Sequence, residues 1–161
     1  MRVGIGYDIH RLAPGRRCVI GGVEIPHTRG PQAHSDGDVL LHALMDALLG
    51  AAALGDLGGH FPPEDPAYEG ASSRDLLARV GAKVVAAGYR IGALDATVVA
   101  EEPRLGPHFA SMRLTIARAL GIAVDRVSVK ATTRDRLGDI GRGEAIAAIA
   151  VVLLEEGAAA A

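Results

Sequence analysis

Apolar and small or polar positions alternate at the start of the chain. Val3, Ile5, Tyr7 and Ile9 interleave with Gly4, Gly6, Asp8 and His10, so Arg2 to His10 reads as a strand with two unlike faces. Asp8 and His10 then project from the same face. Cys18 to Ile25 sets two short apolar arms around Gly21-Gly22, a hairpin signal ended by Pro26. After a polar stretch through Gln32, Leu40, Leu41, Leu44, Leu48 and Leu49 recur at helical spacing and predict a helix from Asp38 to about Ala53. Gly55 to Ser73 has no period and reads as a long loop, either functional or a solvated connection. Ser72 or Ser73 caps a second helix through about Ala87, and Gly88 stops it. Ile91 to Ala100 reads as a strand, Pro107 to Leu120 as a helix ending at Gly121, and Val127 to Ala131 as a short strand. Thr132 to Glu144 is an irregular polar loop, and Ala145 to Leu154 reads as a final strand buried on both faces.

This order of strand, hairpin, helix, helix, strand, helix, strand, strand predicts an α+β fold, a mixed β-sheet with helices packed on one face. The other sheet face keeps small and apolar residues that a symmetric oligomer, with sheets facing inward around an axis, would cover. A chain of 161 residues that is 49% hydrophobic suits a single domain over residues 1–157, with residues 158–161 as a frayed Ala tail. A formal charge of −2, no Trp and only two Phe argue against a nucleic-acid surface made of basic patches and stacking rings. The longest apolar run, Ala145 to Leu154, is far short of the roughly 20 residues that cross a bilayer, so no membrane partner is expected. Cys18 is alone, which removes any intrachain disulfide, and no leader pattern precedes the first strand; the expected location is cytoplasmic.

Candidate chemistry concentrates in His34-Ser-Asp-Gly-Asp-Val-Leu-Leu-His42. Ser35 and Asp36 can accept from free amides at a helix start, whose N–H groups and dipole would seat a phosphate, with His34 just outside. Asp38, His42 and Asp46 follow at i, i+4 and i+8, so Asp46 either orients His42 or is an ordinary helix-face charge. Asp8 and His10 at i, i+2 form a plausible metal half-site, or else the solvent face of an edge strand. Two hydroxyls, Thr132 and Thr133, precede Arg134, Arg136 and Arg142 in a loop that suits phosphate, though a charged surface loop would look much the same.

Five motifs then occur together and in order: Asp8-Ile-His10, His34-Ser-Asp-Gly-Asp-Val-x-x-His42, Asp56-Leu-Gly58, Lys130-Ala-Thr-Thr133 and Gly141-Arg-Gly-Glu144. In this the chain resembles the 2-C-methyl-D-erythritol 2,4-cyclodiphosphate synthase family of the non-mevalonate isoprenoid pathway, over nearly its whole length. The resemblance implies a homotrimer with active sites at subunit interfaces. It also implies conversion of 4-diphosphocytidyl-2-C-methyl-D-erythritol 2-phosphate, a small-molecule cytidine diphosphate substrate, to the cyclic diphosphate and CMP. By the same resemblance Asp8, His10 and His42 bind one Zn²⁺ per subunit, while His34 and Thr133 steady the transition state. Ser35 lies at the phosphate seat. Asp56, Leu57 and Gly58 match the ribose contacts, and Phe61, Pro62, Pro63, Glu64 and Asp65 match the wall around the methylerythritol.

Ala100, Arg104, Leu105 and Gly106 match the cytosine segment, with Thr132 and Arg134 near it. Mg²⁺ or Mn²⁺ accompanies the substrate diphosphate, held in the family by a Glu where this chain has Asp135, one methylene shorter. Pro63 and Glu64 replace a usual Asp-Thr. Asp139 replaces a usual Phe near the three-fold axis, where Arg142 matches the phosphate ligand of an isoprenoid diphosphate cavity. Two rival readings are a metal-dependent phosphohydrolase of a nucleotide-like substrate, which needs a base to activate water, and a non-enzymatic trimer that binds nucleotide or zinc.

Overall fold

The structure is a computed structural model and describes residues 1–62 and 64–157; the expectations for Pro63 and for a frayed tail over residues 158–161 lie outside the described residues. Strand β1 (Arg2–Pro14) runs on past His10, because its far end pairs with β4 (Arg29–Pro31), a strand hidden in the polar stretch before Gln32. β2 (Val19–Ile20) and β3 (Val23–Glu24) form the predicted hairpin, with Gly21 and Gly22 both at positive φ as its tight turn requires. Helix α1 (Val39–Ala51) is capped by Asp38, and its leucines are fully buried. The loop after it is more structured than its composition suggests. Asp56 starts α2 (Leu57–His60), and Asp65 starts a 3-10 turn over Pro66–Tyr68. Ser72 caps α3 (Ser73–Ala86), and β5 (Tyr89–Val99), α4 (Phe109–Leu120) and β6 (Val127–Thr132) follow where their patterns place them. The polar loop after β6 contains a short helix, α5 (Gly138–Gly141), before β7 (Ala145–Glu156).

One five-stranded sheet has the order β4-β1-β7-β5-β6; β7 is antiparallel to both neighbours, and β5 pairs parallel with β6. The sheet is therefore mixed, and α1, α3 and α4 bury Leu44, Leu48, Leu77, Val80 and Ile116 in a core shared with Ile146, Val152 and Leu154. That is the α+β arrangement expected from the element order.

The α1–β1 contact sets the site. A Cβ on Gly4 would lie 2.0 Å from the Ala47 carbonyl oxygen, and one on Gly6 would lie 1.9 Å from that of Ala43. Only glycines let the helix backbone rest on the strand. Moving along the strand from Gly4 to Gly6 moves back along the helix by one turn, because two strand residues (about 6.6 Å) and four helix residues (about 6 Å) cover similar lengths. The next inward residue, Asp8, consequently faces the helix turn that holds His42.

The opposite sheet face is open. Val3, Ile5, Tyr7 and Ile9 remain 47–71% exposed, and Ile149 and Val151 beside them on β7 remain 41–42% exposed. This corrects the reading of the last strand as buried on both faces: β7 is central, its Ile146, Ala148, Ala150, Val152 and Leu154 side lies in the core, and on the other side Ala147 is buried but Ile149 and Val151 are exposed. Toward β5 and β6 the open face turns polar, with Asp95 paired to Lys130.

Candidate active site

The start of α1 is filled by the chain itself. Asp38 Oδ1 accepts from the backbone N–H groups of Gly21 (2.9 Å) and Leu41 (3.1 Å), and Oδ2 accepts from that of Gly22 (2.6 Å). The anion expected at this helix end is thus a buried carboxylate of the protein, not a phosphate. Burial pushes the Asp38 carboxyl up to about 6, against the pull of its three amide donors. Ser35 Oγ accepts from the Gly37 amide at 3.2 Å and Asp36 from the Asp38 amide at 3.2 Å, closing the turn that leads into the helix. Nor do Asp38, His42 and Asp46 form one open polar stripe. Asp46 Oδ1 accepts from the Leu57 amide at 2.7 Å and so fastens the start of α2, instead of orienting His42.

One turn into α1, His42 meets Asp8 and His10. Asp8 Oδ2, His10 Nε2 and His42 Nδ1 form a nearly equilateral triangle, with sides of 2.9 Å (Asp8–His10), 3.0 Å (Asp8–His42) and 3.1 Å (His10–His42). Tetrahedral zinc with bonds of 2.0–2.1 Å has ligand–ligand edges of about 3.3 Å, so the donor set fits such an ion in kind and in spacing. The group can hold a metal. Burial disfavours the Asp8 charge, but hydrogen bonds and charge from His10 and His42 outweigh it and hold its carboxyl far below the usual carboxylate range. Burial likewise disfavours a charged His42 ring, and the bond and charge of Asp8 outweigh that, raising the value above that of a free imidazole. On its other side His42 Nε2 lies 3.0 Å from Ser73 Oγ and 3.1 Å from Ser35 Oγ. Ser73 had no functional reading in the sequence. With two serines in a row at a helix start, one was spare once Ser72 took the cap.

Beside this triangle is a cavity of about 200 Å³, lined by His10, His34, Ser35, His42, Leu57, Gly58 and Phe61, together with Ala33, Tyr68 and Leu76. The last three were not singled out in the sequence, and their only signal was apolar character next to the motifs. Asp56 spends its carboxylate capping α2 at the Gly59 amide (2.8 Å), and Asp65 spends its own on the Ala67 amide (2.9 Å), so both shape the loop that walls the cavity. Pro62 and Glu64 are exposed on the same loop.

A second cavity, of about 550 Å³, is lined by Ala100, Glu101, Arg104, Leu105, Gly106, Thr132 and Thr133. Among the described residues, none lines both cavities. At its rim the Arg134 and Arg136 amides each donate to Glu101 at 3.3 Å, a carboxylate the sequence reading passed over, while the Asp135 amide donates to Thr133 Oγ1 at 3.4 Å. Arg142 is engaged by the carboxylates of Asp139 and Glu144 and lies apart from both cavities, lining neither.

A carboxylate and two imidazoles able to hold a metal ion, set on rigid elements beside a cavity, define an α+β protein with a candidate metal site. The chain belongs to the YgbB family, whose model matches residues 1–155. It is 59% identical over 154 residues to a Pseudomonas aeruginosa protein named 2-C-methyl-D-erythritol 2,4-cyclodiphosphate synthase, covering 96% of this chain and 98% of that one. Its fold matches the bifunctional IspDF of Campylobacter jejuni with a TM-score of 0.93 at 41% identity, over 96% of this chain and 42% of that longer one. It also matches the Plasmodium falciparum IspF, solved as a CDP complex, with a TM-score of 0.86 at 31% identity, over 98% and 97% of the two chains. Among the described residues, no helix is long and apolar enough to cross a membrane.

Proposed function

We propose that this chain is a cyclising phosphorus–oxygen lyase that converts 4-diphosphocytidyl-2-C-methyl-D-erythritol 2-phosphate to 2-C-methyl-D-erythritol 2,4-cyclodiphosphate and CMP. The observation that carries the reading is the Asp8–His10–His42 triangle at the edge of a cavity lined also by His34 and Ser35, in a chain 59% identical to a synthase of that name. An oxygen of the substrate's 2-phosphate attacks the β-phosphorus. The bond from that phosphorus to the bridging oxygen breaks, and CMP leaves with the oxygen and its charge. No water takes part, so the residues act by positioning and by neutralising charge.

Asp8, His10 and His42 hold Zn²⁺, which when bound polarises a phosphate oxygen as a Lewis acid. His34 and the Thr133 hydroxyl stabilise charge developing on the attacked phosphate. Ser35 holds a phosphate oxygen, Leu57, Phe61 and the neighbouring loop enclose the methylerythritol, and Asp56 and Gly58 face the ribose. Ala100, Arg104, Leu105 and Gly106 frame the cytosine, and Thr132, Arg134 and Asp135 lie along the diphosphate, with Asp135 the residue to hold Mg²⁺ or Mn²⁺.

The active unit is a homotrimer in which the metal cavity of one subunit meets the nucleotide cavity of its neighbour. Two facts support this: among the described residues the cavities share no lining residue within one chain, and the outer face of β1 and β7 exposes a row of large apolar residues that a neighbour's sheet would bury. Arg142, already paired with Asp139 and Glu144, is a poor ligand for a further phosphate at the axis.

Incubation of the purified protein with the cytidyl substrate, followed by phosphorus NMR, tests the reaction. Appearance of a cyclic diphosphate with one equivalent of CMP is expected. An uncyclised 2,4-bisphosphate released with CMP would instead make the protein a phosphohydrolase, and binding without CMP release would make it a non-enzymatic binder.

A further inference from the structure

The side of His42 that faces away from the metal triangle is occupied by a hydroxyl whose proton is committed elsewhere. Ser73 is fully buried at the first turn of α3, and its Oγ lies 2.5 Å from Asp36 Oδ1. The Ser73 hydroxyl donates to this carboxylate oxygen. The Ser73 amide donates to Asp36 Oδ2 at 2.9 Å, which fixes the carboxylate against the serine at both oxygens. With its proton spent, Ser73 Oγ can only accept from His42 Nε2, 3.0 Å away.

We propose that Ser73, backed by Asp36, is a positioning residue that keeps the proton of the neutral His42 ring on Nε2 and so leaves the Nδ1 lone pair for the metal. The inference rests on the metal-site reading of Asp8, His10 and His42. It assigns a carboxylate–hydroxyl–imidazole chain, in which a serine is interposed where a carboxylate usually bonds a ligand histidine directly. Ser35 Oγ, 3.1 Å from the same nitrogen, does not duplicate it. Ser35 has no carboxylate among its hydrogen-bond partners to take its proton, and its hydroxyl stays free to turn toward the cavity it lines.

The test compares the intact protein with Ser73→Ala, Ser73→Thr and Ser72→Ala. Two quantities are read: zinc affinity by competition with a chelator, and the protonated nitrogen of His42 in the metal-free protein at alkaline pH by nitrogen-15 NMR. Asp8 Oδ2, 3.0 Å from Nδ1, competes for the ring proton once the metal is removed, so the intact protein is expected to carry a larger share of the His42 proton on Nε2 than Ser73→Ala does. Ser73→Ala should weaken zinc about 10- to 100-fold and shift the proton toward Nδ1. Ser73→Thr, which keeps the hydroxyl, should recover most of the affinity and the Nε2 proton. Ser72→Ala removes the α3 cap, so it should lower thermal stability while leaving both readouts unchanged. An Nε2 share of the His42 proton that is unchanged in Ser73→Ala, with zinc affinity intact, overturns the inference. Equal losses of affinity in Ser72→Ala and Ser73→Ala also overturn it, since they would reflect only the packing of α3. Absence of zinc binding by the intact protein would instead count against the metal-site reading, and the tautomer measurement, which needs no metal, would still decide the role of Ser73.

Discussion

Asp8, His10 and His42 stand on a strand and a helix whose backbones touch at Gly4 and Gly6, whereas Thr132, Thr133, Arg134 and Asp135 stand on an exposed turn held mainly by the Glu101 carboxylate. The first group is fixed before any ligand arrives: each ligand atom lies about 3 Å from the other two, and His42 is bonded on both sides. The second group has exposed side chains and weak, long hydrogen bonds of 3.3–3.4 Å. Rigid elements suit a metal, whose tolerance in distance is a few tenths of an ångström; a turn that can tighten suits a flexible diphosphate. Changes on the strand–helix side should therefore cost structure and metal, and changes on the turn should cost substrate affinity alone.

The largest expected effect is at His42. His42→Ala should empty the site of zinc, read by elemental analysis, and lower CMP release by about 10³-fold or more, the equivalent of several kcal/mol of lost charge stabilisation. Gly6→Ala comes next. Its new Cβ would meet the helix backbone, so stability in urea should fall by about 3 kcal/mol with partial loss of zinc, although no metal ligand is touched. His34→Ala should lower kcat by about 10²-fold and change KM little, because His34 is assigned to charge that develops on the attacked phosphate only in the transition state; a raised KM with unchanged kcat would make it a binding residue.

A pH series sharpens the contrast further. The His42 value is raised by folding, so in metal-free protein its pairing with Asp8 stabilises fully below the free-imidazole value and is lost as pH rises through the folded one. Asp8 is depressed, so its contribution is present above its unfolded value and is lost only in strong acid. Zinc requires the deprotonated ring and binds more tightly as pH rises. The gap in melting temperature between zinc-loaded and chelator-treated protein should therefore widen from pH 6 to pH 8, and a constant gap would show that no proton is displaced. The smallest effect is expected at Arg134→Ala, with stability within about 0.5 kcal/mol of the parent and a change confined to KM.

Legibility followed the same division. Periodicity placed α1, α3, α4, β1, β5 and β6 to within a few residues, because each has one face committed to the core. Asp8, His10 and His42, which the fold brings within reach of one ion, were legible as metal-capable residue types on those elements, and the family resemblance joined them into one set. Hidden from it were features that exist only between segments. β4 has no pattern of its own and forms because β1 overhangs the sheet. Asp38 read as the first member of a helix-face row with His42 and Asp46, and only the fold brings the Gly21 and Gly22 amides of the hairpin turn to it. Ser73 became a partner of His42 only when α3 packed beside α1, and the sidedness of β7 cannot be read from a run that is apolar at every position.

Asp38 also has a consequence for how the molecule opens. Its two oxygens tie the turn of the β2–β3 hairpin directly to the first turn of α1, and the carboxylate is fully buried. Neither piece can leave without stranding a buried charge or orphaned amides, so hairpin and helix start belong to one cooperative unit. In native-state amide exchange the Gly21, Gly22 and Leu41 protons should share a single opening free energy, despite the distance between them in sequence. His42 lies one residue beyond the last of these, so the Asp8–His10–His42 group should share that protection against local fraying.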